Sequence, residues 1–168
     1  MLNVLCFQDS LGLTSQSRVL RPKTGYVELF EIDFTPRCDN HTLPNDTPMH
    51  YWWKLMQEAT REKPIAYRAD TGEMLQRAGF VDIEHRCWQL PFSGSDRARP
   101  RVERAVGEWY KNLLLEEGIS FDPVSMINGM SMGPLTRNLG MTRMDVDRLV
   151  ADVLTCIERY DSSGYHVL

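Results

Sequence analysis

The sequence predicts an α/β domain that is richer in helices than in strands. Residues 25–34, 80–90 and 165–168 are predicted strands, because β-branched and aromatic residues are frequent there and apolar positions tend to alternate. Two stretches between the first and second strands, and three between the second and third, place apolar residues at helical spacing. A chain of 168 residues can bury a core of its own, so one domain is sufficient.

The composition changes just before the first predicted strand. Residues 18–34 run from an apolar Val-Leu through a Pro/Gly turn into a β-branched strand. Residues 1–17 contain a short apolar run followed by Ser, Gly and Thr, and they lack the basic start and cleavage site of a signal peptide. We therefore expect an unmatched N-terminal segment of residues 1–17 and a domain of residues 18–168.

The first helix has clear start signals. Thr47 is the predicted cap, and Pro48 suits the first helical position. The positions predicted to be buried recur at helical spacing: Met49, Trp52, Trp53, Met56 and Ala59. The side chains of the adjacent Trp52 and Trp53 are not expected to point to the same side of the helix.

A second helix leads directly into the second strand. It is predicted to begin at Asp70, with Glu73 completing a capping box, and to end at Gly79. Its inward side chains are expected to be Met74, Leu75 and Ala78. The strand at residues 80–90 is predicted to be half-buried and to end at Pro91. Its apolar face is expected to carry Val81, Ile83 and Cys87, with His85 as a hydrogen-bonded core histidine.

Three helices follow. Residues 101–117 are predicted to form a core-facing helix that terminates at Gly118, with an apolar stripe of Val102, Ala105, Val106, Trp109, Leu113 and Leu114. Residues 124–139 are expected to bend or split, since Gly129, Gly133 and Pro134 interrupt them. Thr142 and Asp145 predict the start of the last helix, whose apolar face contains Val146, Leu149, Val150, Val153, Leu154 and Ile157.

Composition and motifs exclude several classes of function. A net charge of -4 and a pI near 5.6 argue against nucleic-acid binding, which needs a basic face. The four cysteines have no metal-ligand spacing, so we predict no metal site and reduced thiols in an intracellular protein. No apolar run approaches the ~20 residues of a membrane span. No nucleophile elbow, P-loop or zinc-protease motif is present.

The order of these elements resembles the C-terminal half of LaeA-like fungal methyltransferases. Four segments carry the resemblance: residues 25–34, residues 46–53 with the Trp-Trp pair, residues 78–83 and residues 130–140. The resemblance implies a partial class I methyltransferase fold, which is Rossmann-like. It also implies S-adenosylmethionine as cofactor and a role in fungal secondary-metabolite biosynthesis or its regulation, in the cytoplasm or the nucleus.

Two departures from this family bear on activity. The family's glycine-rich cofactor loop has no match among the eleven glycines, and residues 129–133, Gly-Met-Ser-Met-Gly, are interpreted as close helix packing. The strand that carries the family's ribose-binding acid has no counterpart either. In this family the last strand of the sheet lies between the fifth and sixth strands. Here the corresponding strand stops at Leu168, so the sheet is expected to be incomplete. Residues 25–34 and 80–90 would then flank a gap with exposed edges.

Glu31 and Asp33 are the candidate catalytic residues. They lie on one face at the carboxyl end of the first strand, where ligands bind in doubly wound sheets. A carboxylate there can orient a substrate hydroxyl or amine, or accept its proton as a methyl group moves. The alternative is that both simply belong to the polar face of the strand.

Aromatic and methionine side chains form the candidate substrate pocket. Tyr51, Trp52 and Trp53 can wall an apolar pocket, and an aromatic face also favours a sulfonium cation. Met130 belongs to a group of five methionines that suits an adaptable binding surface, the others being Met126, Met132, Met141 and Met144. Core packing is the alternative for both groups.

Three functional hypotheses remain open. The chain is a methyltransferase-like protein that acts on a small molecule and lacks its usual cofactor-binding half. Alternatively, it is a noncatalytic module that binds a protein partner through an exposed sheet edge and its methionine-rich helices. The third hypothesis is a truncated remnant without a function of its own.

Overall fold

A computed structural model describes residues 20–21, 23–38, 44, 46–65, 69–115, 126–159 and 164–168. The described strands are β1 (Asp33–Cys38), β2 (Gln89–Pro91) and β3 (Gly164–Val167). The helices are α1 (Pro48–Ala59), α2 (Thr71–Arg77), α3 (Arg101–Leu115), α4 (Met126–Leu139) and α5 (Arg143–Arg159). The predicted segment of residues 1–17 and the predicted helix end at Gly118 lie outside the described residues.

The three strands form one small sheet in the order β1-β3-β2. The central strand β3 is antiparallel to both neighbours, so β1 and β2 run in the same direction. Val167 pairs with Asp33 on one side and with Gln89 on the other. The gap expected between the first two strands is therefore filled over the length of β3, which corrects that prediction for this part of the sheet.

The predicted strand limits were wrong. β1 begins at Asp33 rather than at residue 25, and β2 is confined to Gln89–Pro91 rather than starting at residue 80. Pro91, predicted to end the strand, is its last residue. An alternating pattern shows that a segment is compatible with a strand, but strand hydrogen bonds need a partner, and β3 is short. Both prolines of the sheet, Pro36 and Pro91, lie in edge strands, where a missing N–H is tolerated.

Helix α1 is confirmed in its start and in its buried positions. Its N-cap is Thr47, whose hydroxyl oxygen accepts the backbone N–H of His50 at 3.4 Å. All five positions predicted to be buried are buried, and they include both tryptophans. Both indole N–H groups find acceptors, since Trp52 donates to Ser131 at 2.7 Å and Trp53 donates to Thr35 at 3.2 Å. The Trp-Trp pair therefore packs into the core as a whole, and the expectation that the two side chains would not face one way was wrong.

The inward faces predicted for two other helices hold only in part. In α2 the predicted inward residues Met74, Leu75 and Ala78 are half-buried and none is fully buried. Its N-cap, Asp70, makes no side-chain capping bond, although Gly79 ends this region with a φ of +93°. On α3, Val102, Trp109 and Leu113 are exposed, while the buried positions are Gly107, Tyr110 and Leu114. Leu114 confirms one position of the predicted stripe and Val106 is half-buried against the core, but the other large members of the stripe face solvent. The face that packs on β2 is instead shaped by a glycine and a tyrosine.

The last two helices complete the core. α4 is one helix with Pro134 inside it, so the predicted split did not occur. A Cβ on Gly133 would meet only the Arg137 side chain, at 3.7 Å, so close packing at that glycine was also a wrong prediction. The capping box of α5 is confirmed: Asp145 N donates to the Thr142 hydroxyl at 3.2 Å, and Thr142 N donates to the Asp145 carboxylate at 3.3 Å. Helices α1, α4 and α5 pack on one another around the buried core.

Candidate functional site

A groove of about 1130 Å³ lies at the end of the sheet where β3 stops. One wall is formed by residues 23–31 and Asp33, and the other by residues 79–88. Val167 and Leu168 contribute the end of β3, and part of α2 also lines the groove. Ligand sites are most often concave features of this kind.

Glu31 and Asp33 both line this groove, so the structure brings the two candidate catalytic residues to one place. Both are half-buried. Asp33 is the first residue of β1 and Glu31 precedes it, so the prediction that they lie at the carboxyl end of the strand was wrong, because the strand begins later than its alternating pattern indicates. One carboxylate oxygen of Asp33 accepts the backbone N–H of Thr35 at 3.0 Å, and the other forms an ion pair with Arg37. Both oxygens of Asp33 are thus engaged within β1. A catalytic role for the two carboxylates stays a prediction.

The candidate substrate residues lie elsewhere. Tyr51 is 57% exposed on α1, whereas Trp52 and Trp53 are buried in the core. Met130 packs against the same core, as do Met126, Met132 and Met141, while Met144 is exposed. None of the four candidates, Tyr51, Trp52, Trp53 and Met130, lines the groove. The structure therefore gives the two tryptophans the packing role that was the alternative interpretation.

His85 and Cys87 belong to the groove rather than to the core. Both are exposed, and the Cys87 sulfur lies 3.5 Å from Nε2 of His85. Val81, on the same predicted apolar face, is 79% exposed. The prediction of a half-buried strand here was wrong, because no partner strand covers this stretch in the described part of the chain.

A buried Tyr110–His166 pair was missed by the sequence reasoning. The Tyr110 hydroxyl lies 2.7 Å from Nδ1 of His166, and the rings of Phe34 and Phe92 pack edge-on against the imidazole. Burial lowers the pKa of His166 to about 3, an effect that the charge of Asp33 opposes and that of Arg37 reinforces. Burial also raises the pKa of Tyr110. Both side chains are therefore neutral at pH 7.

No local signal identifies this pair, since its members are 56 residues apart in the sequence. Nε2 of His166 has no hydrogen-bond partner among the described residues. Burying a polar atom without a hydrogen-bond partner costs folding free energy, so the core is expected to tolerate substitution of either residue of the pair poorly. It lies beneath the sheet, next to the groove rather than in it.

The described residues of the groove do not match the needs of a nucleoside cofactor. Such a cofactor is usually held by a glycine-rich turn and by a carboxylate that binds the ribose. Gly25 is packed against its own turn, where a Cβ would stand 2.9 Å from the backbone of Arg21, and Asp33 is already paired. Among the same residues no cluster of three His, Cys, Asp or Glu side chains suits a metal ion.

A helix long and apolar enough to span a membrane is not found among the described residues. No protein-family model matches the sequence, and no solved structure matches it. Three similar proteins are the secondary metabolism regulator LAE1 of Cochliobolus heterostrophus, the secondary metabolism regulator laeA of Monascus pilosus and the protein-methionine methyltransferase laeA of Emericella nidulans. The identity to LAE1 is 37% over 70% of this chain, and that to the other two is 33% over 89%.

The fold and these relatives define a class: a helix-rich α/β chain with a small antiparallel sheet, related to a methyltransferase-like family. Within that class, the chain is homologous to the LaeA secondary metabolism regulators. It spans 36% to 38% of the length of these three relatives. The family predicted from the four sequence segments is thus confirmed.

Proposed function

We propose that this chain acts in the regulation of fungal secondary metabolism, in the cytoplasm or nucleus, as a methyltransferase-like protein. In this proposal residues 18–168 correspond to the C-terminal half of a class I, Rossmann-like methyltransferase domain. The observation that carries it is the similarity to two laeA proteins over 89% of the chain. A central antiparallel strand between two parallel neighbours is compatible with the end of such a sheet.

S-adenosylmethionine is the cofactor that this proposal implies, and it would donate the methyl group. We propose that a second chain supplies the glycine-rich part of the cofactor site. Within this chain, Glu31 and Asp33 remain the residues proposed to orient or deprotonate the acceptor, which is a small molecule or a protein side chain.

Isothermal titration of the full chain with S-adenosylhomocysteine tests the cofactor proposal, with circular dichroism on the same sample as a folding control. We expect no heat from the chain alone and binding once a full-length laeA protein is added, in excess of what that protein binds by itself. Additive binding by the two proteins would contradict a shared site. Micromolar binding by the chain alone would show that it holds a complete cofactor site.

Substitutions test the two carboxylates. If methyl transfer is measurable in the mixture, Glu31→Gln and Asp33→Asn should each lower kcat, whereas Glu84→Gln, a change to an exposed carboxylate on the opposite wall of the groove, should not. Unchanged turnover in both variants would remove these residues from the mechanism.

A second candidate function is a noncatalytic interaction module, and a specific observation favours it. Val102, Trp109 and Leu113 are exposed on α3 at spacings of seven and four residues, which places them on one face of the helix. Exposed apolar faces of this kind often mark protein-binding surfaces. We propose a helical or extended partner segment there.

Co-elution with a full-length laeA protein in size-exclusion chromatography tests this second candidate. Trp109→Glu should abolish co-elution, while Arg148→Glu, a charge change on the exposed side of α5, should leave it intact. If the parent chain co-elutes and Trp109→Glu does so equally well, α3 is not the binding surface.

A further inference from the structure

An apolar stripe runs along the solvent-facing side of α3. Val102 is 73% exposed, Trp109 59% and Leu113 39%, and Ala105 between the first two is exposed as well. Residues three, four and seven apart lie on one face of a helix, so these four side chains form a continuous apolar surface. The buried residues of α3 lie on the opposite side, which packs on β2. The stripe is therefore open to a partner.

Two charged residues border the stripe on one flank. Arg101 and Glu108 are exposed and seven residues apart, which places them two turns apart on the same side of the helix. Within the described part of the chain neither side chain forms an ion pair, unlike the nearby Glu103, which pairs with Arg99 at 3.4 Å. The flank thus presents one positive and one negative charge to a partner that covers the stripe.

We propose that α3 binds α3 of a second copy of this chain, with the two helices antiparallel in a reversible homodimer. The proposal rests on the second candidate function, because it names the partner of the same surface. In an antiparallel pair with twofold symmetry, each flank meets the same flank of the other helix. The surface is then its own complement, since the arginine and the glutamate of one flank can pair with the glutamate and the arginine of the other.

One register of this pair satisfies both the apolar stripe and the charges. With Val102 opposite Trp109 of the partner subunit, Arg101 is offset from Glu108 of the partner subunit by two residues, which is ~3 Å along the helix axis. A long arginine side chain spans that offset, so two symmetric ion pairs form. Ala105 then lies next to the twofold axis, where its small side chain leaves room for the two indoles.

A parallel pair of the same helices would lack these ion pairs. Parallel helices related by a twofold axis bring each flank against the opposite flank of the partner. Arg101 and Glu108 would then face Val106 and Leu113 of the partner subunit, and both charges would lose solvation against apolar side chains. The charges therefore favour the antiparallel arrangement. A single pair of helices buries less than the ~1,200 Å² of a stable complex, so the dimer should dissociate on dilution.

Analytical ultracentrifugation of the full chain alone tests the inference over ~5–500 µM, the range in which weak complexes dissociate. The weight-average mass should rise from the 19.4 kDa of the monomer toward twice that value. Arg101→Glu and Glu108→Arg each set like charges opposite one another at both symmetric contacts, so each should raise the dissociation constant of the dimer about tenfold. The double variant Arg101→Glu/Glu108→Arg restores opposite charges and should dimerise like the parent. Arg148→Glu, on the exposed side of α5, should change nothing.

Circular dichroism of each variant reports whether the fold is intact. A parent chain that stays monomeric over this range would overturn the proposal, and so would a double variant that dimerises no better than the single ones. Co-elution with a full-length laeA protein is a separate readout. A monomeric chain that still co-elutes through Trp109 would refute the homodimer but not the second candidate function. Dimerisation that the double variant rescues would support the homodimer whether or not laeA binds.

Discussion

Substitution of Gly107 by alanine should destabilise the chain through a single close approach. Gly107 is buried in the middle of α3, where the helix touches the segment after β2. A Cβ at this position would overlap the carbonyl oxygen of Ser93, stand 2.7 Å from its carbon and lie 3.2 Å from the nitrogen of Gly94. These are backbone atoms, so no flexible side chain can give way. The helix and the segment after β2 would have to move apart.

Two opposing terms set the magnitude. Replacing a helix-interior glycine by alanine gains about 1 kcal/mol of helix propensity. Overpacking of a tight contact costs about 1–3 kcal/mol and more when the backbone must shift. Because the obstacle is a carbonyl group, we expect the second term to win, with a net loss of about 1–2 kcal/mol. For a chain of this size that corresponds to a fall in Tm of ~2–8 °C.

Urea unfolding followed by circular dichroism and tryptophan fluorescence measures this loss. Gly72→Ala is the matched control, since it lies in α2 and a Cβ there meets nothing within 4 Å. The control should be neutral or stabilising by up to about 1 kcal/mol. If Gly107→Ala proved as stable as Gly72→Ala, the close approach of α3 to Ser93 would not exist, and the packing of β2 on α3 would need revision.

Three further predictions concern the buried polar groups. Tyr110→Phe removes the hydroxyl partner of His166 and should cost about 1–3 kcal/mol in urea unfolding, and an unchanged midpoint would contradict the 2.7 Å bond. The pKa of His166 in the folded chain is depressed to about 3, below its ordinary value of about 6.5. Its contribution to the free energy of unfolding should therefore be fully present above pH 6.5 and decrease as the pH falls below that value, by about 2 kcal/mol at pH 5. His166→Phe should remove this part of the pH dependence, and a slope that persists unchanged would refute the assignment. Ser131→Ala should cost about 1–3 kcal/mol because the buried Trp52 indole loses its acceptor, whereas the exposed Thr155→Ala should cost little, and equal losses would argue against the bond.

Helix α1 shows what local sequence signals can specify. Its cap, its first-turn proline and its five buried positions were all predictable, because capping depends on near neighbours and the apolar residues recur on one face. The same holds for the capping box and buried face of α5. The family resemblance was likewise readable from four short segments, and the relatives confirm it.

The candidate site was predictable only in part. Glu31 and Asp33 do line the groove, but they were predicted at the carboxyl end of a strand and they lie at the amino end of β1. Their predicted companions on α1 do not, because helical spacing cannot distinguish a pocket wall from a core contact. Trp52 lies in the core, where its indole N–H donates a hydrogen bond to Ser131, 79 residues further along the chain.

The amino-acid sequence alone determined which stretches form helices, where two of those helices begin and to which family the chain is related. These features depend on interactions within a few residues, or on the order of the residues itself. Tertiary structure decided the length of each strand, the buried side of α3 and the burial of His166. A strand needs a hydrogen-bonding partner, and a helix buries whichever face its neighbours cover. Both depend on residues that are distant in sequence, so neither can be read from a local pattern.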